Sequence, residues 1–259
     1  MLNYEICNNN KEEWVVFVHG IGGSSRTWNR QARVFGKYYN ILMLDLPGHG
    51  ESQQNVKIQI NAINDDIKEV LDFLKIEKAH FVGMSLGTLV IANFAVQYPD
   101  YVKAIVFGGA TIQIDGIYKL VLNIVAKIKR WFPHQFLYNT FAKLMLSKKN
   151  HRLSRRFFIK EMLKMKRESF MKWIDYISAM THPQKLINNL KNTNIKMLFI
   201  SGEEDFCFLK SVKKIQKKIK SSKLEIIEKC GHICTLEKSK EFNERALNFL
   251  QSMHKPILV

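Results

Sequence analysis

Short apolar runs alternate with helix-period stretches along the first hundred residues. Leu2 to Cys7 and Trp14 to Val18 read as two strands joined by the polar turn Asn8-Asn9-Asn10. Ile41 to Leu44 reads as a third strand, and Ala104 to Phe107, closed by Gly108-Gly109, as another. Helical patterns lie between them. Trp28 to Tyr38 is one. Ile60, Ile63, Ile67, Val70, Leu71 and Leu74 recur at helical spacing, which predicts a helix capped by Asn61 or Asn64. Alternation of this kind predicts a mostly parallel sheet covered by helices on both faces.

The alternation stops near Ile112. Ile117, Leu120, Val121, Ile124, Val125, Ile128, Trp131 and Phe132 form one apolar helical stripe, with Lys119, Lys127, Lys129 and Arg130 off it. Pro133 breaks the run. Further helical patterns follow around Leu137 to Met145, Leu153 to Met165 and Phe170 to Met180. Strand patterns return at Lys196 to Ser201 and Leu224 to Glu228, and Val212 to Ile219 and Glu241 to Met253 read as helices. The chain therefore divides into a first core part at 1–111, a helical insert at 112–190 and a second core part at 191–259.

One strand end carries candidate chemistry. Phe81-Val82-Gly83-Met84-Ser85-Leu86-Gly87 is an apolar run ending in Gly-x-Ser-x-Gly, with a helical pattern directly after it. In strand–turn–helix context this is a nucleophile elbow, which stands Ser85 at the sheet edge. A serine hydroxyl needs a base, and the base needs an orienting carboxylate. Both are available at later strand ends. Glu203, Glu204 and Asp205 follow the strand at 196–201, and His232 follows the one at 224–228. His19-Gly20-Ile21-Gly22-Gly23 sits at the end of Trp14 to Val18, a glycine loop suited to offering a backbone N–H.

These segments, with Asp45-Leu46-Pro47-Gly48-His49-Gly50-Glu51-Ser52, resemble the α/β-hydrolase superfamily over nearly the whole length, in its lid-bearing, carboxylesterase-like branch. The resemblance implies an α/β-hydrolase fold with a mostly parallel central sheet. It implies a helical lid between the sixth and seventh core strands. The family's Gly-x-x-Asp pattern, counted from Gly202, selects Asp205 over its acidic neighbours. Ser85, Asp205 and His232 then stand in the family's nucleophile, acid, base order. The implied oxyanion hole is the backbone N–H of Leu86 and of Ile21, each donor worth on the order of 3 kcal/mol in the transition state. Ile21 and Leu86 side chains would line the acyl pocket, with Trp28 as a packing residue of lid or pocket. His19, Asp45 and His49 are expected to be structural. Thr88 stands where many relatives carry glycine.

The expected activity is a serine hydrolase acting on a carboxylic ester or thioester with an apolar acyl group, through an acyl-enzyme. Serine at the elbow argues against dehalogenase and epoxide hydrolase chemistry, which use aspartate there. The arginine that marks menaquinone-pathway lyases soon after the elbow is missing. Alternatives are an acyl-carrier-linked methyl ester esterase or thioesterase, a carbon–carbon bond hydrolase, a perhydrolase, and a non-catalytic binding protein that keeps the shell. No cofactor and no metal are expected. Cys230-Gly231-His232-Ile233-Cys234 lacks the separated ligand pairs of a zinc site.

Composition adds one point. Net charge is +17, and 16 Lys/Arg against 4 Asp/Glu lie between Asp115 and Leu190. A basic lid suits an acidic acyl-carrier protein or an anionic membrane surface, unless it only reflects lysine-rich composition. No nucleic-acid motif accompanies the charge. Without an export-like segment, and with Cys7, Cys207, Cys230 and Cys234 in no framework spacing, a cytoplasmic location is expected.

Overall fold

The computed structural model describes residues 1–52, 58–179 and 183–253, with only the backbone of Ile117 and His134. Met180 and the Ile117 side chain therefore lie outside the described residues. Seven strands form one sheet: β1 (Tyr4–Cys7), β2 (Trp14–Val18), β3 (Asn40–Leu44), β4 (Ala79–Met84), β5 (Val102–Gly108), β6 (Lys196–Gly202) and β7 (Ser222–Ile227). Their order is β1-β3-β2-β4-β5-β6-β7. β1 pairs antiparallel with β3, and every other pair is parallel.

The apolar runs are continuous because both faces of the strands are covered. Val16, Val18, Phe81, Ile105 and Phe107 face one core. Helices α2 (Ile60–Phe73), α3 (Leu86–Gln97), α8 (Pro183–Asn192) and α9 (Leu209–Lys218) supply the other half of that core. Val15, Phe17, Val82, Met84 and Val106 face the opposite side, where α1 (Asn29–Phe35) and α11 (Ser239–Gln251) pack. A short helix, α10 (Cys234–Glu237), precedes α11. The chain leaves β2 toward β3 and then crosses back to β4, so the sheet switches direction between β2 and β4. Crevices at such switch points, beyond the carboxyl ends of the strands, are where ligands bind.

Helices α4 (Gly116–Ile128), α5 (His134–Met145), α6 (Arg152–Met162), α7 (Arg167–Ala179) and α8 separate β5 from β6. α4 packs on α7, α5 on α6, and α8 beside α3. The insert thus follows the fifth strand, not the sixth, because only one antiparallel strand precedes β2 among the described residues. No described helix is long and apolar enough to cross a membrane.

Three local expectations change. α2 is entered through Gln59 in extended conformation, and neither Asn61 nor Asn64 caps it. Asn64 is buried instead, its Nδ2 donating to Gln97 Oε1 at 2.8 Å. The predicted helix from Trp28 begins as a 3-10 turn, Ser25–Trp28, before α1. The long stripe through Phe132 is broken by a 3-10 turn at Lys129–Trp131. That turn sends Lys129 inward, 3% exposed, where its Nζ pairs with Asp175 and donates to Ala126 O at 2.9 Å. Trp131 points out and is 82% exposed.

Candidate active site

The end of β4 turns so tightly that Ser85 takes φ 52° and ψ −118°, a left-handed strained conformation for a residue with a Cβ. Its neighbours make that turn sterically feasible. A Cβ on Gly87 would lie 2.1 Å from Val18 O, and one on Gly83 2.7 Å from Ile91 Cδ1. The elbow is pinned by backbone and by one side chain. Ser85 N–H donates to Gly108 O at 3.0 Å. Thr88 Oγ1 donates to Ser85 O at 2.6 Å and accepts from Thr111 N–H at 3.0 Å. Thr88 thus ties the elbow to the segment after β5. A glycine there could not do so.

The carboxyl ends of β6 and β7 bring the other two residues to Ser85. Ser85 Oγ–H donates to His232 Nε2 at 2.9 Å, and His232 Nδ1–H donates to Asp205 Oδ2 at 2.8 Å. Asp205 and His232 are fully buried, with Phe208 packed on the imidazole at 4.9 Å. Glu203 and Glu204 are directed elsewhere. Both ring nitrogens of His232 are used in this chain, which leaves none for a metal shared with Cys230 and Cys234. Burial raises the Cys230 and Cys234 thiols far above their usual range and lifts Cys207 to about 12.

The His19–Gly23 loop lies against the nucleophile. A Cβ on Gly20 would come 3.1 Å from Ser85 Cβ. Leu46 N–H donates to His19 Nε2 at 3.0 Å, so Nδ1 carries the proton and donates to Gly20 O at 2.7 Å. Burial lowers the pKa of His19. Burial and His19 together hold His49 well below the usual histidine range. Asp45 accepts from Ser25 N–H at 2.6 Å and Glu51 N–H at 2.9 Å. All three brace loops and touch no cavity beside Ser85. No described hydrogen bond uses the N–H of Ile21 or of Leu86, the first residue of α3.

Two cavities meet at Ser85. The first, about 980 Å³ with its open mouth, runs under the insert between α4 and α5. Its walls are apolar: Ile21, Leu86 and Leu89 from the core, Val121 and Val125 from α4, Leu137 and Phe141 from α5. The second, about 600 Å³ with its mouth, holds Trp28, Thr27, Phe157, Glu161, Thr235 and His232. Trp28 therefore belongs to the second cavity, where its ring packs 4.9 Å from Phe17. No Lys or Arg lines either described wall.

A family model for the alpha/beta hydrolase fold matches residues 13–239, most of the chain. The chain belongs to the α/β-hydrolase fold family. It is 26% identical to the 2-hydroxy-6-oxo-6-phenylhexa-2,4-dienoate hydrolase of Comamonas testosteroni, over 92% of this chain and 88% of that protein. Among solved structures it is similar to MenH from S. aureus, with TM-score 0.86, 24% identity, and 98% and 100% of the two chains covered. It is also similar to an esterase from Exiguobacterium antarcticum, with TM-score 0.85, 17% identity, and 96% and 95% covered. The family and these relatives support a hydrolase enzyme. The structural likenesses bear on the fold alone.

In this α/β-hydrolase a second group of residues braces the histidine from behind. Glu237 accepts from Gly231 N–H at 2.9 Å and Ile233 N–H at 3.0 Å, the N–H groups of the residues on either side of His232. Glu204, next to Asp205, donates its N–H to Cys230 O at 2.8 Å. His151, buried at the α5–α6 corner, spans both acids. Its Nε2 lies 2.8 Å from Glu204 Oε2 and 3.5 Å from Glu237 Oε2. Lys148 and Asn150 donate to Glu204 at 2.7 and 2.8 Å. The insert is thereby clasped to the loops that carry Asp205 and His232. No motif or periodicity announces these residues, because the contacts join segments far apart in the chain. Thr88 is the exception: its place in the elbow is visible, but the need for its hydroxyl is not.

Acidification tests the clasp. Hydrogen bonds from Asn150, then Lys148 and His151, hold Glu204 at about 2, below its ordinary 4.5. A lowered carboxylate stabilises the fold fully above its ordinary pKa, and that contribution fades as pH falls from about 4.5 to 2. Thermal melts at graded pH should therefore fall more steeply in that window for wild type than for Glu204→Gln. Parallel curves would mean that the clasp carries no stability.

Proposed function

We propose that the chain is a serine hydrolase cleaving a neutral ester or thioester with an apolar acyl group. The observation that carries this reading is the Ser85–His232–Asp205 hydrogen-bond chain at the meeting point of two cavities. Ser85 Oγ attacks the acyl carbon while His232 Nε2 takes its proton. The oxyanion that forms is stabilised by the N–H groups of Ile21 and Leu86. His232 then gives the proton to the leaving oxygen or sulfur, and that bond breaks to leave the Ser85 ester. Water, deprotonated by His232, releases the acid and restores the serine. Asp205 holds the imidazole tautomer throughout.

The cavities suggest which part of the substrate goes where. The general acid must reach the leaving atom, and His232 lines the second cavity but not the first. The leaving group is therefore assigned to the second cavity and the acyl chain to the first, with α4–α7 as its lid. Four free thiols, three of them buried, support a reducing, cytoplasmic setting.

The carbon–carbon hydrolase reading draws on the Comamonas relative. That relative's named substrate is a carboxylate, and an anion in either cavity here would meet no described Lys or Arg. Glu161, on the second wall, is paired with Lys164 at 2.7 Å and offers an anion no partner. A neutral ester avoids the cost of an unpaired anion.

Fluorophosphonate labelling tests the reading directly. Label is expected on Ser85, and p-nitrophenyl esters should show an optimum beyond acetate. Val125→Trp, which fills the first cavity from α4, should cost long esters on the order of 100-fold in kcat/KM while sparing acetate. A folded protein that neither labels nor turns over would make it a binding protein. Equal loss on all chain lengths would take the acyl chain out of the first cavity.

A further inference from the structure

α4 is apolar on two sides. Its inner side, with Val121, Leu122 and Val125, walls the first cavity. Its outer side carries Leu120 and Ile124, 54% and 48% exposed and one helical turn apart. Trp131, Phe136 and Leu144 continue this exposed apolar series onto the turn and α5. Thr140 and Leu144 are both exposed and line the cavity, so its mouth opens within the series. Residues 116–160 hold 7 of the 14 large exposed apolar side chains among the described residues, which is a concentration and not a scatter.

The charge on the same stretch is one-sided. Residues 116–160 contain 11 Lys/Arg and no Asp or Glu. Lys129 and Lys148 are committed to Asp175 and Glu204. Lys127, Arg130 and Lys143 are exposed, and no described ion pair joins them to a carboxylate. Exposed Trp, Phe, Leu and Ile set along a stretch rich in lysine and arginine is the composition of a surface that sinks its apolar tips among lipid tails and its cations among anionic headgroups. A second copy fits poorly, because a two-fold contact would set this strongly basic stretch against itself.

We propose that the α4–α5 face docks on an anionic lipid bilayer, so that an amphiphile's acyl chain passes from the bilayer into the first cavity. Docking stands without the catalytic reading; passage of the chain rests on it.

The test is flotation of the full chain with vesicles of phosphatidylcholine alone or mixed with phosphatidylglycerol, at low and high salt. Binding is expected only to the anionic vesicles and should weaken as salt rises. Lys127→Glu with Arg130→Glu should weaken it by about tenfold or more. Neither residue lines a cavity, so turnover of a short water-soluble ester should stay unchanged. Trp28 and Trp173 are buried and Trp14 is half-buried at the amino end of β2, away from the insert, so a blue shift of tryptophan emission on binding should vanish in Trp131→Phe. Ser85→Ala should bind vesicles as wild type does. Vesicle binding without Ser85 labelling would sink the hydrolase and leave docking intact. Labelling without vesicle binding would overturn docking alone. Equal binding to neutral vesicles, lipid-free self-association that buries Trp131, or capture of an acidic acyl-carrier protein in place of vesicles would each overturn it too.

Discussion

Ser85→Ala is expected to lower kcat on a p-nitrophenyl ester by about 10⁶-fold with little change in KM or stability. His232→Ala should cost about as much, because Ser85 Oγ and His232 Nε2 act as one unit across their 2.9 Å hydrogen bond. The double variant should then be no slower than either single one. Asp205→Asn keeps the shape but presents an amide to Nδ1, which favours the wrong tautomer, and should cost about 10⁴-fold. Glu203→Gln and Glu204→Gln should stay within about tenfold at neutral pH. Steady-state kinetics on the five single variants and the double variant checks the set. Additive losses in the Ser85/His232 double variant would mean that the two residues do not share one proton transfer. A larger loss at Glu204 than at Asp205 would move the orienting acid.

Gly87→Ala should be among the most damaging single methyl additions to the core. The added Cβ would stand 2.1 Å from Val18 O and 2.8 Å from His19 O, both backbone atoms at the end of β2. No rotamer change relieves contacts with backbone, so α3 or β2 must shift. The expected loss is about 3 kcal/mol or more, which lowers Tm by roughly 6–12 °C in a chain of this size. Gly116→Ala is the control. Gly116, unlike Gly87, has a positive φ, 58°, and a Cβ there meets nothing within 4 Å. Only the conformational cost remains, about 1–2 kcal/mol. Melts of the two variants compare close packing with backbone preference. If they fell equally, strand–helix approach at the elbow would not be the reason for the second glycine.

The core was legible because it obeys local rules. Apolar runs of strand length and glycines at their carboxyl ends locate β2, β4, β5 and β6, and the elbow marks Ser85 from five residues. What escaped depends on distant partners. The burial of Asn64 depends on Gln97, and that of Lys129 on Asp175, over thirty residues away in each case. The α4 stripe is a clearer lesson. Periodicity finds apolar residues on a helix, but it does not say whether protein, ligand or solvent meets them. Val125 and Ile124 carry the same signal; one walls a cavity and the other is 48% exposed. His151 and Glu237 are invisible for the same reason, since one buried histidine and one acid acquire meaning only when folding brings them to the peptides around His232.

That clasp matters for anyone exchanging parts between related chains. The insert looks separable, a block of helices spliced between two strands. Yet His151 grips the acids on either side of the imidazole loop, so a foreign cap would leave Glu204 and Glu237 as neighbouring carboxylates without the imidazole that bridges them. Chimeras that swap the insert alone should fold and yet be slow. Those that carry residues 204 and 237 along with it should recover their rate. The unit of exchange is the cap together with its two acidic sockets.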